Sequence, residues 1–512
     1  MKSSADSLWK AVARSMARGL GAGEALVEHL DVPEKVAERM AQAIDGVLEF
    51  ARAEPEAGGN AVDDEKAGIA AALRLAAPLV QVRMQRRLDA LDAAQTQAAL
   101  CPDCHERAQS VGRPERSWMS LVGRVHLHRR TAACDPCGCQ FSPAQRRMGL
   151  GEGEFTPRME EVCTLLATTV PHEMAVKLVH ETLGVQVSEY GVQRMTERRG
   201  RALEQILSEQ AAEQCPVNPA GLPRSLPPSR GKAPEVAYLE VDGVLPMTRE
   251  EVPRAQLSPA DKARRTRADK AHARGGRGRR YRLVGKEVKN AVLYSGDDCA
   301  RESASRGCLI DKRYVSHLGE WQAFAPRVWA MLRERAYDRA KLLVLLSDGS
   351  EWIRSLAEWL PVPVLLILDL FHVKHRIWEV ANLLHGEKTP AAQRWAGTQC
   401  DRVEAGDAAR VIEALRFPKP SRRDVADKVA ELEGYLRSNL DRMDYPAYRA
   451  KGLRVGSGAV ESANYHVTGA RLKLQGMRWS EAGAREMAAL RADLFNGQWS
   501  ARTRQILERS AA

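Results

Sequence analysis

Long hydrophobic runs are missing from this chain of 512 residues. The longest strongly apolar stretch, Val362 to Leu368, is strand-sized, contains Pro363 and is closed by Asp369; a membrane-spanning helix needs roughly 18 such residues. No membrane span is expected. The first twenty residues set Lys10, Arg14 and Arg18 among Trp9, Val12 and Met16, without the apolar segment and cleavage site of a signal peptide, so a cytoplasmic protein is expected. The composition is neither collagen-like nor that of a disordered chain: with 44% hydrophobic and 28% charged residues it can bury sizeable cores. Its length exceeds what one core supports, so two to four structural units are expected. Cysteine is sparse except in one place, since five of the ten lie between Cys101 and Cys139, and in a reducing compartment such clustering points to metal rather than disulfides. There is no acidic excess either. Lys and Arg number 77 against 66 Asp and Glu, a net charge of +11, which makes nucleic acid the first partner to consider.

Residues 1–98 read as a helical region, with apolar residues recurring at three and four as in Val36, Met40, Ile44 and Val47. Residues 99–145 read as a zinc ribbon. Cys101-Pro-Asp-Cys104 and Cys134-Asp-Pro-Cys137 are separated by 29 residues that include the alternating stretch Met119, Leu121, Val125, Leu127. Two such turns can aim four thiolates at one tetrahedral Zn²⁺; Cys139 leaves open which thiolates bind. Within residues 150–212, His172 to Glu181, a turn holding Gly184, a capping Ser188 and a second helix with Gln193 and Arg194 match a helix-turn-helix layout. That second helix could read a major groove, or could be part of a plain bundle. The proline-rich residues 213–233 read as a linker.

Beyond it the pattern changes to short apolar runs that end in aspartate. Val236 to Val241 delivers Asp242, Leu342 to Leu346 delivers Ser347 and Asp348, and Val362 to Leu368 delivers Asp369. Carboxylates at strand ends collect on one edge of a mixed sheet. At about 4 Å apart two of them repel by roughly 4 kcal/mol at an effective dielectric near 20, so a cation is implied. Mg²⁺ or Mn²⁺ suits hard oxygen ligands, and a pair of such ions serves phosphodiester chemistry. Far downstream, Gly456-Ser-Gly-Ala-Val-Glu461 is expected to open a long helix that runs through Met477-Arg-Trp479 to about Asn496, with Glu461 near its start and Arg471, Lys473 and Arg478 following, cations placed toward a phosphate backbone.

These motifs together, Leu239-Glu-Val-Asp-Gly243, Ser347-Asp-Gly-Ser350, Asp369-Leu-Phe-His-Val-Lys-His375 and Gly456 to Glu461 followed by Gly476-Met-Arg-Trp-Ser480, resemble the DDE transposases of bacterial insertion sequences. The ISKra type, related to the Mutator-like group, is the nearest likeness, over roughly residues 100 to 497. The resemblance implies a multidomain α+β protein: a zinc ribbon and helical DNA-binding region, then a ribonuclease-H-like mixed α/β core. The core would occupy residues 234–375 and 454–500, with an all-helical insertion at 376–453. It implies catalytic residues Asp242, Asp348 and Glu461 holding two Mg²⁺ or Mn²⁺ ions, with Asp369 and His372 beside them and one structural Zn²⁺ upstream. Element ends and target DNA would be the partners, the assembly at least a dimer, and the location the bacterial cytoplasm at the nucleoid.

Residues 261–282 depart from a bare core, carrying ten Lys or Arg against two Asp. Lying between the first two strands, this segment is expected to be a phosphate-binding loop through Arg264, Arg265, Arg267, Lys270, Arg277, Arg279 and Arg280, although charge runs are often merely solvated. Three other readings compete. A haloacid-dehalogenase-like phosphatase needs an aspartate nucleophile where Glu240 stands. A DNA-binding regulator, or a domesticated inactive transposase, would bind DNA without cleaving it.

Overall fold

Five strands of one sheet position the acidic residues. The computed structural model describes residues 15–16, 19, 21–28, 32–54, 60–95, 98–218, 221–224, 226–252, 259, 281–301, 307–417, 420 and 422–511. Two compact units divide the chain: Met1–Arg199 with Ser500–Ala512, and Gly200–Trp499. In the second, β1 (Val236–Val244), β2 (Val288–Ser295), β3 (Arg313–Leu318), β4 (Leu342–Ser347) and β5 (Val364–Leu368) form a sheet of order β3-β2-β1-β4-β5. Strand β2 runs antiparallel to β1 and β3, while β4 and β5 run parallel to β1.

Both faces of the sheet are covered, which is why its strands read as near-continuous apolar runs. Ala237, Leu239 and Val241 face α1 (Trp321–Glu334) and α2 (Glu351–Trp359), packing with Phe324, Val328, Ile353 and Leu356. Tyr238, Val292, Tyr294, Val344 and Leu346 face the other way, onto helices that follow β5. These are α3 (Leu370–His385), α4 (Pro390–Glu404), α5 (Ala408–Ala414), α6 (Arg423–Ser438), α7 (Tyr445–Ala450) and α8 (Gly458–Ala463). Among the described residues no strand interrupts 370–457. The unit is therefore a mixed sheet with a helical layer on each side, and the chain as a whole is multidomain α+β.

Register makes the edge of this sheet chemically distinct. Ser347 on β4 pairs with Val241 on β1 and with Leu368 on β5, so the next residues, Asp242, Asp348 and Asp369, come level at the same end of three parallel strands. Asp242 in turn pairs with Asn290 on β2, which pairs with Ser316 on β3. One rank across the whole sheet is thus polar, Ser316-Asn290-Asp242-Asp348-Asp369, while the ranks beneath it are mostly apolar.

In the other unit, Ala61–Ala93 is a helix of 33 residues, capped by Asn60, whose Oδ1 accepts from Val62 N at 2.9 Å. By length and Ala-rich composition alone it could cross a membrane. A few of its residues pack in the protein: Leu88 lies with Trp118, Val125 and Leu127. Gln85 Oε1 accepts from His128 N at 2.8 Å, and its Nε2 donates to the His128 carbonyl at 2.8 Å. The amide of Gln85 thereby satisfies the backbone of an edge strand. That strand, Gly123–His128, pairs with Glu115–Ser120, and a small sheet of Gln109–Gly112, Thr131–Ala133 and Gln140–Phe141 lies between and beside the cysteine pairs. Pro157–Thr169, His172–Leu183 and the start of Glu189–Gln214 then pack as three helices around Met159, Cys163, Val179 and Val192. Gly184 turns the second into the third with φ of 65°.

Candidate active site

Each carboxylate at the sheet edge is turned toward a donor of its own. Asp242 Oδ1 accepts the N–H of Gly243 at 2.7 Å and its Oδ2 accepts from Asn464 Nδ2 at 2.5 Å. Asp348 accepts the N–H of Ser350 at 2.9 Å and its hydroxyl at 3.0 Å. Between them the turn at Gly349 has φ of +90°, and a Cβ there would fall 2.7 Å from Leu368 Cδ1, so glycine is required for Asp348 to leave the strand in this direction. Asp369 caps α3, accepting from His372 N at 2.8 Å.

Glu461 arrives after 112 intervening residues from Asp348 on the short helix α8, whose N-terminus two buried carboxylates pin. Glu240, one residue pair below Asp242 on the same face of β1, accepts the N–H of Val460 at 2.9 Å and the hydroxyl of Tyr294 at 2.5 Å. Asp369 accepts both the N–H and the hydroxyl of Ser457. Negative charge at the unsatisfied N–H groups of a first helical turn is favourable. Glu461 itself is exposed, with Oε1 3.7 Å from His372 Nδ1, which also lies 3.6 Å from Asp369 Oδ1.

The electrostatics separate these groups. Burial, with the charge of Asp348 adding to it, pushes Asp242 up to about 6 against the pull of Gly243, His372 and Asn464. Burial also raises Glu240, to about 7. Asp369 is as deeply buried, yet the donors from His372 and Ser457 outweigh its desolvation and hold it near 2. His372 is raised above its ordinary value, chiefly by Asp369, with Glu461 and Asp242 contributing. When protonated, the imidazole is the local counter-charge of three carboxylates.

The structure brings Asp369, His372 and Glu461 together, their ligand atoms all within 4.8 Å of one another. Asp242 and Asp348 sit on adjacent strands, where level residues are about 5 Å apart, and they feel each other's charge. Their oxygens do not join Glu461 in a group as tight as the one around His372, because Asn464, Ser350 and His372 each draw one carboxylate aside. Sequence reading did not single out Glu240 as a support, nor Asn290 and Asn464. Asn464 stands three residues after Glu461, one turn along the same helix, and that spacing was the available signal.

A second group that could hold a metal ion lies in the other unit. Sγ of Cys101 lies 3.4 Å from that of Cys137, Cys104 is 3.4 Å from Cys134 and 3.6 Å from Cys137, and all four lie within 4.8 Å of one another. Such a group could hold a metal such as zinc. Burial would raise the Cys101 thiol, but the N–H groups of Cys104 and Asp103 bring it down to about 6. Cys139 faces Asp103 and Cys101 in an overlapping group of three, so both cysteine arrangements share Cys101.

The residues expected to touch DNA fall into three sets. Arg264, Arg265, Arg267, Lys270, Arg277, Arg279 and Arg280 lie outside the described residues. The antiparallel strands that flank them, Met247–Glu251 and Tyr281–Gly285, are described, and Trp479 joins this ribbon through Trp479 N to the Met247 carbonyl at 3.1 Å and Arg249 N to the Trp479 carbonyl at 2.7 Å. Lys473, Arg478, Gln193 and Arg194 are exposed. Arg471 corrects the expectation: it is fully buried, with its guanidinium over the Trp479 ring at 4.9 Å and donating to Met477 Sδ at 3.2 Å. A guanidinium enclosed in this way holds the Trp479 loop and presents nothing to a phosphate.

Residues 268–509 match the model of an uncharacterised protein family, UPF0236. The UPF0236 match takes in Asp348, Asp369, His372, Glu461 and Asn464 and begins after Asp242 and the cysteine pairs. A comparison with curated proteins returned no match.

Proposed function

We propose that this chain is a DNA transposase of the DDE type, which binds the ends of an insertion sequence and carries out phosphodiester cleavage and strand transfer at Asp242, Asp348 and Glu461. The observation that carries this reading is the level rank of aspartates at one end of three parallel strands, met by a glutamate that the fold returns from beyond a helical insertion. A mixed five-stranded sheet between helical layers, with that insertion after β5, supports reading the core as ribonuclease-H-like.

The donor set fits divalent cations: hard carboxylate oxygens, with Asp242 raised by burial and by Asp348, an imbalance that positive charge relieves. What Mg²⁺ or Mn²⁺ supplies when bound to Asp242, Asp348 and Glu461 is charge at the scissile phosphate and activation of the attacking water or 3′ hydroxyl. The chain's own residues do the rest. Glu240 and Asp369 hold the helix of Glu461 against the sheet, and His372 balances Glu461, Asp369 and Asp242. Arg478 is next to Trp479, which pairs with the strand Met247–Glu251; this exposed arginine supports reading a cationic contact for a DNA backbone here. Joining two element ends calls for at least a dimer. Glu240 is fully buried and engaged with Val460 and Tyr294, which removes the nucleophile that a phosphatase of the haloacid-dehalogenase type would need.

The test is strand cleavage on a DNA fragment carrying the repeats that flank the coding region, with Mg²⁺ or EDTA, using wild type and Asp242→Asn. Metal-dependent nicking at the repeat ends that disappears in the variant is the expected result. Tight, salt-sensitive binding without cleavage by either protein would sink the enzymatic reading in favour of a DNA-binding regulator or an inactive element.

A further inference from the structure

A directional hydrogen-bond network stands behind Asp242. An ionised carboxylate only accepts, so Asn464 must turn its Nδ2 toward Asp242 Oδ2, as it does at 2.5 Å. Its Oδ1 is then left needing a donor, and Asn290 Nδ2 supplies one at 2.6 Å. Asn290 Oδ1 in its turn accepts from two hydroxyls, Ser316 Oγ at 2.5 Å and Thr468 Oγ1 at 2.9 Å. Both amides therefore have one orientation that satisfies the whole chain of donors. Asn290 is 1% exposed, Ser316 4% and Thr468 0%, so water cannot replace a lost partner without cost.

The backbone is shaped to deliver this network. Asn290 and Ser316 are cross-strand neighbours of Asp242 in the polar rank of the sheet. Asn464 and Thr468 come from above, on a π-helical segment, Asn464–Gly469, inserted directly after α8. Single π-turns of this kind cost helix regularity and recur at functional sites. Gly469 permits it, since a Cβ there would fall 2.7 Å from the carbonyl oxygen of Asn464. A regular α-helix through this point would turn Thr468 to a different face and leave Asn290 Oδ1 with one donor, Ser316, in place of two.

We propose that Asn464, backed by Asn290 and Ser316, is a positioning residue that sets the orientation in which the Asp242 carboxylate receives a divalent cation. This rests on the reading of Asp242 as a metal ligand. Partners that orient a ligating side chain typically change metal affinity by about 10- to 100-fold when removed. The probe is Mn²⁺ itself, titrated into the full-length protein while the free-ion electron paramagnetic resonance signal is followed, with thermal melting recorded alongside. Asp242→Asn defines the Asp242-dependent site. Asn464→Ala is expected to weaken that site by about 10-fold or more. Ser316→Ala, which leaves the Asn464–Asp242 contact in place, is expected to lower the melting temperature with a smaller loss of affinity. Asn464→Leu, close in volume, stands in if the alanine variant does not fold. Wild-type Mn²⁺ affinity in a folded Asn464 variant, alongside loss in Asp242→Asn, overturns the proposal and leaves the metal site standing. Equal Mn²⁺ binding by wild type and Asp242→Asn overturns the metal-site reading and this inference with it.

Discussion

Glu240 offers a quantitative test of how the helix bearing Glu461 is held. Its carboxylate is fully buried, and burial raises it from an ordinary 4.5 to about 7 even though Tyr294 and Val460 donate to it. The folded state thus binds this proton more tightly than the unfolded chain does. The group's contribution to stability is complete below pH 4.5 and is lost as pH rises through about 7. At about 1.4 kcal/mol per tenfold, the difference amounts to about 3 kcal/mol by pH 8. Glu240→Gln keeps both contacts, with the amide oxygen accepting from Val460 and the amide nitrogen donating to Tyr294, and it does not ionise. Urea unfolding of the two proteins at pH 5 and pH 8 is the assay. Near pH 5 they should be of similar stability, and at pH 8 the glutamine variant should be the more stable by about 2 to 3 kcal/mol. Asp242 shifts in the same direction, but it is present in both proteins and cancels in the comparison. A stability difference that is the same at both pH values would refute the argument that Glu240 is a desolvated carboxylate clamped on α8.

Other substitutions probe the remaining parts of the construction. Gly349→Ala should cost about 2 kcal/mol or more in urea unfolding, since its φ of +90° and the 2.7 Å approach to Leu368 penalise any side chain; near-wild-type stability would mean the turn after β4 is not strained as described. Cys104→Ser should lose the bound zinc equivalent, read by elemental analysis of protein purified from zinc-supplemented medium, and a stoichiometry unchanged at one would move the site away from this cluster. Lys473→Ala and Arg478→Ala should each lower the slope of log affinity for DNA against log salt by roughly 0.9, whereas Arg471→Met, its side chain enclosed by Trp479 and Met477, should leave that slope alone while reducing stability. An equal slope change in all three would return Arg471 to the DNA-contacting surface.

The aspartates were legible in the sequence because each closes a short apolar run, and strand ends that carry acid have few places to go except a sheet edge. What the sequence could not express was register. Nothing local says that Ser347 pairs with both Val241 and Leu368, and a slip of one residue would have sent every second side chain to the opposite face. The paired CxxC turns were legible for the opposite reason, since their spacing gathers four thiols almost without reference to the rest of the chain. Arg471 was misread because charge is taken as a mark of solvent, and only the packed structure shows a guanidinium spent on an indole face and a thioether.

The amides are the instructive case. Asn290 lies inside a strand and Asn464 inside a helix, positions where asparagine has no propensity advantage and no motif. Their presence makes sense only when three strands and a helix are brought together, because each satisfies a donor or acceptor that another element would otherwise bury unpaired. A polar rank that crosses five strands is costly in a core and gains nothing from burial. It persists in a sheet where Glu240 and Asp369 are already occupied with α8, and where Asp242, half-buried at the edge, is held by Gly243 and Asn464. Removal of Asn464, the amide in direct contact with Asp242, is therefore expected to register first in the Mn²⁺ affinity proposed for that carboxylate.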